Sequence, residues 1–122
     1  MIETNITKLE DLQLLNNELS DKIYINDILN YLDLQQVIPT LANIKSKLVN
    51  TGTIVIEEYD SFEVCSAFIN GRINSIDLNN IIRGRMHLFN IVDITVIINK
   101  AGLKIAVKEI DSLKHYVEVV NV

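Results

Sequence analysis

Hydrophobic residues recur along this chain with two spacings, and the change between them marks the predicted elements. Residues 22–26 and 53–59 are short runs rich in β-branched and aromatic side chains, which is typical of strands. Between these runs, apolar residues recur at helical spacing and predict an amphipathic helix. Its stripe consists of Leu34, Val37, Ile38, Leu41, Ile44, Lys45 and Leu48. Strand, helix and strand in this order build a parallel α/β sheet.

The ends of this helix are marked by residues that cap helices. Asp33, with Gln36 three residues later, predicts a capping box that satisfies the first backbone amides. Gly52 is expected just past the last turn with a positive φ, because glycine tolerates the left-handed conformation. Pro39 lies inside the pattern, so the helix either begins late or is kinked in its first turns.

A second helix is predicted directly after the second strand. Asp60 and Glu63 form a capping box at its start, and Gly71 follows its end. Its apolar stripe consists of Phe62, Cys65, Phe68 and Ile69. The cysteine on this stripe is expected to be a small buried hydrophobe, and it has no local base that would make it a nucleophile.

The rest of the chain predicts two more helices and a hairpin. One helix covers residues 75–83, and another begins at Asn90 and stops at Gly102. Residues 103–110 and 115–120 are alternating runs joined by a short link, so an antiparallel hairpin is expected.

The length of 122 residues is enough for one compact domain with its own core and too short for two. Before the first clear strand, a short strand is expected at residues 2–6. A leucine-rich helical turn follows it, built on Leu9, Leu12, Leu15 and Leu19.

Composition narrows the class of partner. A formal net charge of −5 leaves no basic surface to replace the counterions of a nucleic acid, so nucleic acid is not expected as a partner. No run approaches the roughly 18 consecutive apolar residues of a membrane span. The N-terminus lacks the pattern of a signal peptide, and one cysteine cannot form an internal disulfide. A cytoplasmic location is therefore expected.

Three residues match short motifs of a known enzyme family. Leu29 matches the leucine of a "vLeH" segment after a strand, although Asn30 and Tyr31 replace its Glu-His pair. Leu48 and Gly52 match the ends of an "LkpgG" segment after a helix. With the order of elements, these residues resemble the second half of a class I S-adenosylmethionine-dependent methyltransferase. The resemblance implies a truncated Rossmann-like α/β sheet with flanking helices and a C-terminal antiparallel hairpin.

Residues 87–89 and 101–103 similarly resemble the region before that family's last two strands. In the family, the first strand, its glycine-rich turn and an acidic residue after the second strand hold the cofactor. The first glycine of this chain is Gly52, and about twenty residues precede the strand at 22–26. The sequence therefore predicts a methyltransferase fold without its cofactor half, and no bound cofactor is expected.

Five polar residues are candidates for a substrate contact. Asn26 and Asp27 end the first clear strand, and Glu57 and Tyr59 end the next, where open α/β sheets bind ligands. His87 lies in a loop at a position where the resemblance implies a histidine. The alternatives are a capping role for Asp27 and ordinary surface or core positions for the others.

Glu58 and His115 are two further polar residues with chemically active side chains. Alternation along the second strand places Glu58 on the face opposite to its neighbours, and carboxylates so placed can do acid–base work if their pKa values are separated. The sequence shows no such separation. His115 has no histidine, cysteine or carboxylate at ligand spacing, so no metal site is expected.

The favoured hypothesis is a non-catalytic methyltransferase-like domain that binds a protein partner or assembles with itself. One alternative is a methyltransferase that is active only with a second chain supplying the cofactor half, which would then bind S-adenosylmethionine. The other is a small α/β binding domain unrelated to methyl transfer. Because the family's first strand is expected to be missing, the strand at residues 22–26 should lie at a sheet edge, and a homodimer is expected to bury it or the adjacent faces.

Overall fold

A computed structural model describes residues 2–8, 10–11 and 20–121. The strands are β1 (Glu3–Ile6), β2 (Ser20–Asn26), β3 (Leu48–Tyr59), β4 (Leu103–Asp111) and β5 (Lys114–Asn121). The helices are α1 (Leu34–Ser46), α2 (Ser61–Ile69), α3 (Ser75–Ile82) and α4 (Ile91–Lys100), with a 3-10 turn at Leu29–Tyr31. The leucines of the predicted N-terminal turn lie outside the described residues.

The strands form one sheet in the order β1-β2-β3-β5-β4. The first three strands are parallel, whereas β5 is antiparallel to both β3 and β4. The predicted parallel unit and the terminal hairpin are therefore confirmed.

The prediction that β2 lies at the sheet edge is wrong. β1 pairs with it in parallel, in a register that joins Thr4 to Ile23 and Ile6 to Ile25. Both isoleucines of β2 are buried in the core, and β1 pairs with the backbone edge that was expected to be free. β1 thus lies beside β2, where the resemblance implies the family's first strand.

One face of the sheet carries the core. On this face Ile54 and Ile56 of β3 lie between isoleucines of β2 and valines of β5, and α1 and α4 cover them. The helical part of the core consists of Val37, Leu41, Ile44, Ile94 and Ile98. On the opposite face, Tyr24, Glu57 and Tyr116 are only half-buried. The sheet is therefore packed mainly on one side.

The first helix shows which end signals were correct. α1 begins after Asp33, but the side chain of Asp33 makes no capping hydrogen bond, so the predicted capping box is wrong. Leu34 is exposed, so its predicted place on the buried apolar stripe is wrong. Lys45 extends along the stripe and its Nζ donates to the carbonyl of Gly102 at 3.1 Å. Pro39 lies inside the helix.

Gly52 does not end that helix. The helix stops at Ser46, and the chain enters β3 at Leu48, so Gly52 lies within the strand without a positive φ. Gly102, in contrast, has a φ of 78° directly after α4, as predicted. The predicted helix start at Asn90 is confirmed, and Asn90 forms a capping box with Asp93.

The second helix is turned the other way from its prediction. The buried residues of α2 are Val64 and Ala67, whereas Phe62 and Ile69 are 67% and 80% exposed. Cys65 is exposed too, so the prediction that it is buried is wrong. The larger apolar side chains identify a stripe, but the smaller residues Val64 and Ala67 are the ones that are buried.

Candidate functional site

An ion pair lies at the carboxyl ends of β2 and β3. Asp27 follows β2 with a φ of 58°, and its amide donates to the carbonyl of Glu57 at 3.0 Å. Its carboxylate accepts from both Nε, at 3.1 Å, and Nη2 of Arg85. This bidentate geometry is the strong form of an arginine–carboxylate contact. Asp27 therefore does more than cap a turn.

Two tyrosine rings enclose the guanidinium of Arg85. Its Cζ lies 5.1 Å from the ring centre of Tyr31 and 4.8 Å from that of Tyr59. Cations at such distances are attracted by the ring faces. Nζ of Lys114 also lies over the ring of Tyr59, 5.0 Å from the ring centre. The structure thus brings Asp27 and Tyr59 together through an arginine that the sequence did not select as a site residue.

Glu58 lies behind this ion pair and is completely buried. Its Oε2 accepts from the backbone amide of Asn30 at 3.0 Å. Burial raises the pKa of Glu58 to about 8, and the negative charge of Asp27 acts in the same direction. The amides of Asn30 and Leu29 and the charge of Arg85 oppose the shift. Burial therefore favours the protonated form of Glu58 at neutral pH, which no sequence pattern revealed.

His115 is paired directly with Glu58 across β3 and β5. It is completely buried, and its Nδ1 lies 3.1 Å from Oδ2 of Asp60. Burial lowers the pKa of His115, while Asp60 opposes this by favouring the protonated ring. Asp60 also accepts from the amide of Glu63, which is one half of the predicted capping box.

His87 does not join the corner formed by Asp27, Tyr31, Tyr59 and Arg85. Its ring stacks on Phe89 at 5.4 Å between centres and lines a groove of about 470 Å³ between α1 and α4. Only the backbone of this loop approaches the corner, since the amides of Met86 and His87 donate to the carbonyl of Asn30.

The other two candidates lie at the sheet end without a shared cavity. Asn26 is exposed and is the register partner of Glu57. Glu57 is half-buried and lines a shallow groove of about 280 Å³ with Tyr59 and Lys114. Within the described residues, no group of three or more histidine, cysteine or carboxylate side chains is arranged to hold a metal ion. None of the helices described is long and apolar enough to cross a membrane.

Similarity to known proteins appears at the level of structure. No protein-family model and no curated protein matches the chain. An O-methyltransferase of neocarzinostatin biosynthesis, in complex with S-adenosylmethionine and 2-hydroxy-5-methyl naphthoic acid, matches with a TM-score of 0.63 and 14% identity over 88% of this chain. Magnesium protoporphyrin IX methyltransferase from Synechocystis, with bound S-adenosylhomocysteine, matches with a TM-score of 0.63 and 15% identity over 91%. An O-methyltransferase family protein from Burkholderia thailandensis matches with a TM-score of 0.63 and 16% identity over 93% of this chain.

The chain has a methyltransferase-like fold. It spans 30%, 48% and 33% of the lengths of these three chains, so it corresponds to part of each. At such low identities the similarity concerns the fold, and residues of the sites have to be judged from their own geometry. The predicted truncated methyltransferase sheet with flanking helices and an antiparallel hairpin is confirmed.

Proposed function

We propose that this chain is a non-catalytic methyltransferase-like domain that binds no S-adenosylmethionine on its own and acts by assembly with itself or with a protein partner. The turn after β1 is the observation that carries the proposal. β1 lies where the family's first strand is implied, so the residues after it correspond to the glycine-rich turn that contacts the cofactor.

That turn has a different construction here. No glycine occurs between β1 and β2, and Thr7 and Lys8 follow the strand. The amide of Thr7 donates to Oδ2 of Asp11 at 3.2 Å, and the amide of Asp11 donates to the carbonyl of Lys8 at 3.1 Å. The first amide after β1, that of Thr7, is thus hydrogen-bonded to the carboxylate of Asp11 in the same chain. This negative charge opposes the carboxylate of the methionine part of the cofactor.

The neighbouring strand ends are also occupied internally. Asp27 is held by Arg85, which fills the space between Tyr31 and Tyr59, and Glu58 is buried. The polar groups at this corner are therefore engaged in stabilising the fold.

Assembly is supported by an apolar surface on α2 and α3. We call it the α2–α3 surface, and its exposed members are Phe62, Cys65, Phe68, Ile69 and Ile76. Contiguous exposed apolar side chains mark interaction sites in soluble proteins. Residues 61–83 carry two acidic and two basic side chains, whereas the whole chain has a net charge of −5. Two copies can therefore meet at this neutral surface with less repulsion than elsewhere.

Calorimetric titration with S-adenosylmethionine tests the absence of cofactor binding. We expect no heat of binding at millimolar cofactor, because a half-enclosed site with a carboxylate in the turn offers little affinity. An authentic methyltransferase titrated under the same conditions is the control. A dissociation constant in the micromolar range or tighter would overturn this part of the proposal.

Light scattering over a range of concentrations tests self-assembly. We expect a homodimer that Ile69→Glu dissociates without loss of folded structure, since Ile69 is 80% exposed. Ile110→Glu, at an exposed site on β4, is the matched control and should leave the dimer intact. A monomer at high micromolar concentration would contradict self-assembly and leave only a different protein as partner.

A methyltransferase completed by a second chain is the second candidate. It is favoured by the complexes of two structural neighbours with S-adenosylmethionine or S-adenosylhomocysteine and by the fraction of those chains that this one spans. Cofactor binding that appears only after addition of a partner chain would support it over the first candidate.

A further inference from the structure

Three buried side chains carry polar atoms without a hydrogen-bond partner. These atoms are Nδ2 and Oδ1 of Asn30, Oε1 of Glu58 and Nε2 of His115. All three residues have an exposure of 0%. A buried polar atom that is left unpaired costs roughly 1–3 kcal/mol, so the four such atoms on these three side chains require an explanation.

The three side chains belong to one cluster. Glu58 and His115 are direct partners on antiparallel strands, which places their side chains on the same face with Cβ atoms about 4.5–5.5 Å apart. Asn30 lies beside Glu58, because its amide donates to the other carboxyl oxygen at 3.0 Å. The unpaired atoms therefore belong to neighbouring side chains where the 3-10 turn meets two strands.

The donors and acceptors on these three side chains can be assigned. A carboxylate only accepts, so the contact with Asp60 places the proton of neutral His115 on Nδ1 and leaves Nε2 as an acceptor. Burial keeps Glu58 protonated at neutral pH, which gives it one hydroxyl to donate. Asn30 supplies both a donor and an acceptor.

We infer that Asn30, Glu58 and His115 enclose a buried water site, in which ordered water joins Oε1 of Glu58 to Nε2 of His115 and to the Asn30 amide. Water fits this set because it both donates and accepts, and buried waters commonly bind about three polar groups. A metal cation does not fit this set, because the amide nitrogen and a protonated carboxyl group are hydrogen-bond donors and not cation ligands.

The charged groups around the network determine when it loses its proton. Asp27 and Arg85 face Glu58 from the corner, and Asp60 and His115 face it from the β3–α2 junction and β5. Ionisation would place a second carboxylate near Asp27 with one guanidinium between them. The network is therefore stable while Glu58 is protonated and is weakened when the pH rises past the pKa of Glu58, about 8.

Crystallography and infrared spectroscopy of the unaltered protein test the site directly. We expect electron density for water within hydrogen-bond distance of at least two of the four atoms, and a carboxylic-acid carbonyl band that disappears above pH 8. Glu58 bonded directly to His115 with no water between them would overturn the water site. A carboxylate spectrum at pH 6 with no protonated band would overturn the protonated acid.

A matched pair of variants adds a test by stability. Glu58→Gln keeps a donor and an acceptor but has no ionisable proton, whereas Glu57→Gln changes the half-buried neighbour on the other face. Because the pKa of Glu58 is raised in the folded state, its proton stabilises the folded protein fully at a pH below the pKa of Glu58 in the unfolded chain. This contribution is lost as the pH rises towards 8. Relative to the unaltered protein, Glu58→Gln should therefore become progressively more stable to urea from pH 5 to 8.5, and Glu57→Gln should show no such trend. A pH-independent difference for Glu58→Gln would refute the inference.

Discussion

At the residue scale, Gly52 is required for a close approach between two strands. A Cβ at this position would lie 2.7 Å from the side chain of Leu48 and 2.8 Å from the carbonyl oxygen of Asp21. The second contact is with backbone, which cannot rotate away. We therefore expect Gly52→Ala to lower the free energy of unfolding by about 3 kcal/mol, as overpacking does at its upper range.

Gly71→Ala provides the matched control for Gly52→Ala. Gly71 has a φ of 74° and nothing within 4 Å of an added Cβ, so only backbone strain of about 1–2 kcal/mol is expected. Urea denaturation of both variants checks the order. A smaller loss at Gly52 than at Gly71 would show that β2 and β3 can separate to admit the methyl group.

Arg85 is the second residue with a specific role, because it joins Asp27 to the two tyrosines. Arg85→Ala should lower the free energy of unfolding by about 2 kcal/mol or more, since it removes charge-assisted hydrogen bonds from a half-buried carboxylate. Arg83→Ala, at an exposed arginine two residues earlier, should change it by less than about 0.5 kcal/mol. Equal effects in urea denaturation would mean that the ion pair is dispensable.

At the element scale, α2 shows that the largest apolar side chains do not determine which face of a helix is buried. Val64→Ala should destabilise the domain by about 2 kcal/mol, because the valine is completely buried. Phe62→Ala should have little effect on unfolding, since its ring is 67% exposed. Thermal denaturation of the two variants measures this difference. A larger loss of stability for Phe62→Ala than for Val64→Ala would mean that the apolar stripe predicted from the sequence is the buried face.

The single cysteine gives a second measurement of the same orientation. Cys65 is exposed, so a thiol reagent should label the dilute native protein without denaturant. If the α2–α3 surface is buried in a dimer, labelling should slow as the concentration rises. Labelling that requires denaturant even in dilute protein would place α2 with its apolar stripe inward.

At the scale of the whole molecule, two buried groups give opposite dependences of stability on pH. Burial lowers the pKa of His115, so the unfolded chain gains the proton more readily and stability is lost as the pH falls below about 6.5. Burial raises the pKa of Glu58 to about 8. Stability therefore declines as the pH rises from the ordinary pKa of a free carboxyl group towards 8. Between pH 6.5 and 8 the glutamate acts alone, and stability should decrease.

Urea denaturation at several pH values checks this profile. His115→Gln should change the slope only below about pH 6.5, and the decline from pH 6.5 to 8 should remain. A profile that is flat between pH 6.5 and 8 in the unaltered protein would contradict the raised pKa of Glu58.

Local interactions explain which features the sequence by itself determined. Caps at Asp60 and Asn90, the positive φ of Gly102 and the hairpin depend on residues within a few positions of one another. The strand ends that carry Asp27 and Tyr59 could be predicted as well, because alternation and turn residues mark them. The amino-acid sequence was therefore enough to predict the order of the elements.

Tertiary structure decided the features that depend on distant segments. The covering of β2 by β1, the outward stripe of α2 and the close approach at Gly52 follow from the shape of neighbouring elements. The pairing of Arg85 with Asp27 and of Glu58 with His115 joins residues more than fifty positions apart. Burial and its effect on pKa arise only when such segments pack together, because the dielectric environment belongs to the assembled core and has no signature in local sequence.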